Sequence, residues 1–158
     1  MEIMWIVFAI IAVFILGFLI FKFVRKAAFN NELREVFYES KKLTPEEFFK
    51  LKRKTSDFGG RSKYDESGVY VIFNKSSSMY YVGQSIHLIK RVNDHFTGKG
   101  NGDVYADYKY GADFEITLIP CPREDLNKVE RHYIEIFNAY GKGYNKNKGK
   151  KKKKILVN

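Results

Sequence analysis

The residues that could do chemistry lie in the second half of the chain. His87, Arg91 and His95 recur every four residues, so a helix over about Ile86 to Thr97 puts all three on one face. Glu130 sits inside an apolar stripe of Leu126, Val129, Tyr133, Ile134 and Phe137. A carboxylate there is costly unless it pairs with an Arg or Lys, is hydrated in a cleft, or binds a metal, and the residues alone leave all three open. His87 and His95 are two turns apart, about 12 Å at about 1.5 Å per residue, too far to chelate one ion together. The single cysteine, Cys121, excludes an internal disulfide and a Cys-based zinc cluster, and reads as a small core filler; His132 reads as a surface residue.

The elements that must position these groups follow from pattern. Gly68 to Phe73 is rich in β-branched and aromatic residues, Asn74 to Ser78 is a polar turn, and Met79 to Gly83 returns as a second strand. Ser85 can cap the helix that carries Arg91, whose apolar residues Ile89, Val92 and Phe96 lie on one side. Phe114 to Ile119 alternates as a third strand. Pro122 then opens a long helix to about Tyr140, ended by Gly141 and Gly143. The order β-β-α-β-α is an α+β sandwich of a small sheet flanked by helices.

The first part of the chain is different. Ile3 to Phe21 contains no charge, and only Gly17 falls outside the apolar set. At about 1.5 Å per residue this run reaches roughly 28 Å, enough to cross a bilayer core of about 30 Å. A wholly soluble protein of 158 residues is thereby excluded. The opening Met1-Glu2 and the length of the run do not fit a cleaved signal peptide. Lys22, Arg25 and Lys26 follow it, so the positive-inside bias puts residues 22 onward in the cytoplasm, as a single-pass protein. Leu43 to Phe49 carries a capping box, with Thr44 as N-cap, Pro45 first in the helix and Glu47 as reciprocal partner. A further short helix is expected over about Asn31 to Ser40, and Asp57 to Ser67 reads as a loop.

Charge is as uneven as hydropathy. The chain has 28 Lys+Arg against 18 Asp+Glu, a net +10. Eight of the lysines follow Gly141, where there is no acid, so residues 1–141 keep 20 basic against 18 acidic residues, only +2. The segment Lys142 to Lys154 is expected to be disordered and to attract a polyanion. A DNA backbone is one candidate, and an anionic membrane leaflet, at about 1 kcal/mol per lysine, is another.

Gly68-Val69-Tyr70, followed eleven residues after its tyrosine by Tyr81-Val82-Gly83, resembles the GIY-YIG nuclease family. Gln84, Ser85, Arg91 and His95 extend the resemblance into the first helix. Glu130 resembles the family's acidic metal ligand, and Gly143-Tyr144-Asn145 its closing asparagine motif. The resemblance covers about Ser67 to Lys148 and implies phosphodiester hydrolysis with one divalent ion, Mg²⁺ or Mn²⁺, held by Glu130. It implies Tyr70 as general base or water-orienting group, and Tyr81 as a hydroxyl that orients water or phosphate. Arg91 would contact the phosphate. His95 would bond to the tyrosine or a phosphate oxygen, and Asn145 would fix Glu130 or the phosphate through its amide. Valine replaces isoleucine in both tripeptides. Gln84 stands where some relatives have a lysine, so any lysine assistance to Tyr70 falls to Lys90 or Lys99. His87, Gln84, Lys90, Lys99, Lys146 and Lys148 are the candidate DNA contacts.

The domain division expected from all this is an anchor over 1–24, a juxtamembrane helical spacer over 25–66, a nuclease-like domain over 67–148 and a lysine-rich tail over 149–158. Three function classes are compatible with it: a membrane-tethered DNA endonuclease acting on incoming foreign DNA, a catalytically weak nucleic-acid-binding module, and a membrane-anchored interaction scaffold. The intact set Tyr70, Tyr81, Arg91, Glu130 and Asn145 favours the first, because binding alone has no chemical need for all five. With no second DNA-recognition domain in view, high sequence specificity is not expected.

Overall fold

The computed structural model describes residues 2–55 and 65–149. Most of the loop expected over Asp57 to Ser67, and the lysine tail beyond Gly149, lie outside the described residues. The chain divides into two compact units, Met1–Tyr38 and Glu39–Asn158.

The first unit is essentially one helix, α1, Glu2–Glu39, of 38 residues and roughly 57 Å at about 1.5 Å per residue. Over Met4–Glu39 it is long and apolar enough to cross a membrane. Its apolar residues face every direction, from Trp5 to Val24, as they must where no protein core covers them. Lys22 and Arg25 fold back over the rings of Phe18 and Phe21, at 4.4 and 5.6 Å. The separate helix expected over Asn31 to Ser40 is the last part of α1. No Gly or Pro interrupts residues 22–39, so nothing in the sequence breaks the helix.

The second unit is a four-stranded antiparallel sheet with helices on both faces. Its elements are β1 (Lys42–Leu43), α2 (Pro45–Thr55), β2 (Gly68–Asn74), β3 (Met79–Ser85), α3 (Leu88–Phe96), α4 (Gly102–Lys109), β4 (Phe114–Pro120) and α5 (Leu126–Ile136). The strand order is β1-β4-β2-β3, so β3 is an edge. Tyr70 pairs with Gly83, and Ile72 with Tyr81 and Ile116. Period-two alternation therefore puts Tyr70, Ile72, Tyr81, Gly83 and Ile116 on one face. This face joins Leu88, Ile89, Val92 and Phe96 of α3, Phe48 of α2 and Val104 of α4 in one buried core. The opposite face meets α5, where Tyr80 stacks on Phe137 at 4.5 Å and Gln84 reaches Glu130.

The segment after α5 closes the open edge of β3. Tyr144 donates its N–H to the Tyr80 carbonyl at 2.9 Å. The Asn145 amide accepts from the Val82 N–H at 2.8 Å and donates to the Val82 carbonyl at 2.7 Å. An edge strand left bare invites pairing with other chains, so this cover has a structural value of its own. It requires glycine at 143, because a Cβ there would stand 2.2 Å from the Tyr80 carbonyl oxygen. Tyr144 is held from its other end, in a network with Asn74, at 2.6 Å, and Asp107.

Residues 39–55 are built into this unit. Thr44 and Glu47 form the capping box, at 3.2 and 2.9 Å, and α2 delivers Phe48, which is fully buried. Lys42 and Leu43 pair with Thr117 and Ile116. The helix expected to start at Pro122 starts at Leu126, after a turn, and the helix expected at Ile86 starts at Leu88, with Ser85 accepting the His87 N–H at 2.9 Å just before it. His132 is buried against the Tyr133 ring, and Cys121 is only half-buried. Phe48→Ala is expected to lower the unfolding free energy by about 3–5 kcal/mol, the cost of emptying a buried aromatic site. Urea unfolding followed by tyrosine fluorescence measures it. A change within about 0.5 kcal/mol, typical of a surface site, would mean that Phe48 does not contribute to this core.

Candidate active site

Tyr70 and Tyr81 are diagonal neighbours on one face of the β2–β3 ladder, with ring centroids 6.1 Å apart. The residue directly opposite Tyr70 is Gly83, and this explains the glycine of the second tripeptide. A Cβ at 83 would stand 2.2 Å from the Tyr70 hydroxyl oxygen. The phenol therefore lies flat over bare backbone, and only glycine leaves it room.

His95, on α3, reaches down to this hydroxyl. Its Nε2 lies 2.8 Å from Tyr70 Oη, and both side chains are buried, at 0% and 1% exposure. The other ring nitrogen, Nδ1, accepts the backbone N–H of Asn101 at 2.8 Å. A neutral imidazole has one donor and one acceptor nitrogen, so the proton sits on Nε2 and is donated to Tyr70. Burial, helped by the nearby Arg91 charge and opposed by Asp94, lowers the His95 pKa to about 4, so the ring is neutral at pH 7. Asn101 is itself fixed: its side chain caps α4, accepting from Asp103 and Val104, and its amide donates to the Tyr144 carbonyl at 3.3 Å.

Arg91 lies one turn before His95, and its guanidinium interacts with both tyrosine hydroxyls. Burial raises the Tyr70 pKa far above that of an ordinary phenol; Tyr81 adds to the effect and Arg91 opposes it. The Tyr81 pKa is also raised, chiefly by burial, with the Glu130 carboxylate adding to it. Tyr70 is therefore a protonated phenol in this state. It receives a hydrogen bond from His95, and its hydroxyl also bonds with Tyr81 and Arg91.

Glu130 approaches from α5, on the other side of the sheet, and is half-buried. Its Oε2 accepts from Gln84 Nε2 at 2.7 Å, and the same nitrogen donates to Asn127 at 2.8 Å. The structure thus brings Tyr70, Tyr81, Arg91 and His95 together on one face, with Glu130 and Gln84 meeting them around the edge strand. Asn145 is at this edge, with its amide bonded to the Val82 backbone between Tyr81 and Gly83. The other candidate contacts are peripheral. Lys90 faces Asp94 at 3.6 Å, Lys146 faces Asp103 at 3.3 Å, and Lys148 lies over the Tyr140 ring at 5.5 Å. His87 is exposed, 3.7 Å from Asp65, and Lys99 is exposed after α3. Asn101 and Asn127 belong to the site and were not expected from sequence. Asn101-Gly102-Asp103 has the composition of a helix start, and Asn127 stands one turn before Glu130.

Among the described residues no three His, Cys, Asp or Glu gather into a metal cage. A single half-buried carboxylate, oriented by a neutral amide, suits a hard divalent ion that keeps most of its waters. The donor set therefore fits Mg²⁺ or Mn²⁺ at Glu130.

A sheet edge that assembles two tyrosines, an arginine, a histidine and a carboxylate in this order defines a nuclease-type catalytic domain. The chain belongs to the GIY-YIG family, whose catalytic-domain model matches residues 66–153. Two solved structures are similar to it. A mutant form of the catalytic domain of intron endonuclease I-TevI is 23% identical, with TM-score 0.43, over 54% of this chain and 97% of that one. A further structure of the catalytic domain of homing endonuclease I-TevI is 25% identical, with TM-score 0.41, over 51% of this chain and 97% of that one. No curated protein matches the chain.

The His95 pKa carries a pH signature. The folded value, about 4, lies below the unfolded one of about 6.5, so the unfolded chain binds more protons between them. This part of the stability is full above about pH 6.5 and is lost as pH falls towards 4. His95→Gln is expected to flatten the stability profile in that window in urea titrations at fixed pH. An unaltered slope would mean that His95 titrates normally in the fold.

Proposed function

We propose that the chain is a membrane-tethered endonuclease that hydrolyses DNA phosphodiester bonds, with one divalent ion at Glu130 and its nuclease domain in the cytoplasm. In this reading residues 1–24 anchor, 67–148 carry the reaction and 149–158 recruit substrate. The observation that carries it is the buried Tyr70–His95 pair with Arg91 over both tyrosines. Buried polar groups of this kind cost stability unless fully partnered, and a scaffold gains nothing by keeping them.

Arg91 offers a planar, permanently charged fork to a non-bridging phosphate oxygen. Tyr70 directs its hydroxyl towards the attacking water, and His95 stabilises the Tyr70 oxygen by donation whenever that oxygen gains negative charge. Tyr81 orients the water or the phosphate. A bound divalent ion supplies charge neutralisation at the scissile phosphate and favours ionisation of the nearby phenol. The anchor limits encounters to DNA near the membrane, which suits incoming foreign DNA as substrate. The positive flank Lys22, Arg25 and Lys26 supports the cytoplasmic orientation. Gly149, where the tail leaves the described residues, lies beside Glu130: a Cβ there would stand 3.4 Å from Glu130 Oε2.

The test is cleavage of plasmid by the full chain in detergent with Mg²⁺ or Mn²⁺. Arg91→Ala is expected to slow it by roughly 10²–10³, the scale for loss of one charge-stabilising donor, and Glu130→Gln to abolish it. Absence of cleavage by the parent chain under either ion contradicts the reading. The tail adds a separate expectation. Removing residues 150–158 deletes five lysines. The slope of log affinity against log salt should flatten by about 0.9 for each phosphate that the shortened chain no longer neutralises, measured on duplex DNA. An unchanged slope, with weaker binding to anionic vesicles, would assign the tail to lipid instead.

A further inference from the structure

Gln84 answers the Glu130 carboxylate with a neutral amide. Its Nε2 has two protons and uses both, one on Glu130 Oε2 at 2.7 Å and one on Asn127 Oδ1 at 2.8 Å. The amide orientation follows from chemistry, because the reverse would set the Gln84 oxygen against two oxygen acceptors. Asn127 and Glu130 are one turn apart on α5, so they share a helix face. Gln84 follows Gly83, the residue that makes room for Tyr70. The bridge therefore ties the β3 strand that shapes the tyrosine site to the helix that bears the carboxylate.

We infer that Gln84 and Asn127 are positioning residues that hold the Glu130 carboxylate in the orientation in which it takes a divalent cation. Gln84 thus turns its amide to the carboxylate. The inference rests on the reading of Glu130 as the ion's ligand. A glutamate on a half-exposed helix face has several rotamers of similar energy. A donor fixed to an adjacent strand selects one of them before the ion arrives. Because that donor is neutral, it orients the carboxylate without cancelling its charge, as a lysine at this position would. Residues that orient a ligand in this way typically contribute about 10–100-fold to metal affinity.

The experiment is a titration of the full chain in detergent with Mn²⁺ alone, read by the electron paramagnetic resonance signal of the free ion without DNA. Gln84→Leu removes both donors at similar length and is expected to weaken Mn²⁺ binding at least about tenfold, with Asn127→Ala weakening it less. In cleavage assays Gln84→Leu should raise the Mn²⁺ concentration needed for half-maximal rate by the same factor. In a Glu130→Gln background, Gln84→Leu should have no further effect on Mn²⁺ binding, an outcome that general loss of packing would not give. If Gln84→Leu fails to fold, Gln84→Asn, which keeps the amide and withdraws it by one methylene, is expected to weaken binding in its place. Parent-like Mn²⁺ binding by a folded Gln84 variant, with Glu130→Gln still inactive for binding, overturns the positioning role alone. Undiminished Mn²⁺ binding by Glu130→Gln overturns it together with the assignment of the ion.

Discussion

The hydrogen bond between Tyr70 and His95 is the interaction on which the rest of the second unit depends. Both groups are excluded from water, so every polar atom they present must find a partner within the fold. The imidazole needs a donor for Nδ1 and an acceptor for the proton on Nε2. The Asn101 N–H donates to Nδ1 from the loop before α4, and the Tyr70 hydroxyl oxygen, on the β2 strand, accepts from Nε2. The hydroxyl can reach that point only because Gly83 stands opposite it. One buried contact therefore couples the hairpin, α3, the α4 cap and, through Asn101, the closing segment at Tyr144.

This arrangement sets a tension that function must resolve. Burial makes Tyr70 a poor acid, whereas the role proposed for it calls for negative charge on or beside its oxygen. The protein has placed a donor, His95, and a fixed cation, Arg91, beside that oxygen. Both favour the ionised phenol more than the neutral one. His95 is already protonated at the nitrogen facing Tyr70, so it cannot collect the phenol's proton without becoming a cation in a dry pocket.

The edge strand β3 explains why residues far apart in sequence converge. Tyr81 points to one face of it, Gln84 to the other, and Asn145 holds the Val82 backbone between them. The hairpin and β4 were legible in sequence because alternation and β-branched content are local signals, and the Thr44–Glu47 capping box was legible for the same reason. Membership of the nuclease family was legible from Tyr70, Tyr81, Arg91, Glu130 and Asn145 as an ordered set. β1 was not, since two residues carry no period. The short helix α4 was hidden by its mixed composition and by glycines on both sides of Asn101. The direction of the Asn145 amide and of Gln84 depends on strand register and on which edge is open, and these are set by long-range pairing. His132 read as a surface residue because its polarity says nothing of the ring it packs on.

The molecule makes its most direct commitment at the His95 ring. Long-range ¹⁵N–¹H correlation spectra of the full chain in detergent, labelled at histidine, reveal which nitrogen bears the proton. The expected result is a neutral ring protonated at Nε2, with Nδ1 unprotonated, unchanged between about pH 7 and about pH 5, since the folded pKa lies near 4. A ring protonated at Nδ1, or one that becomes a cation with a midpoint near the ordinary value of about 6.5, would contradict it.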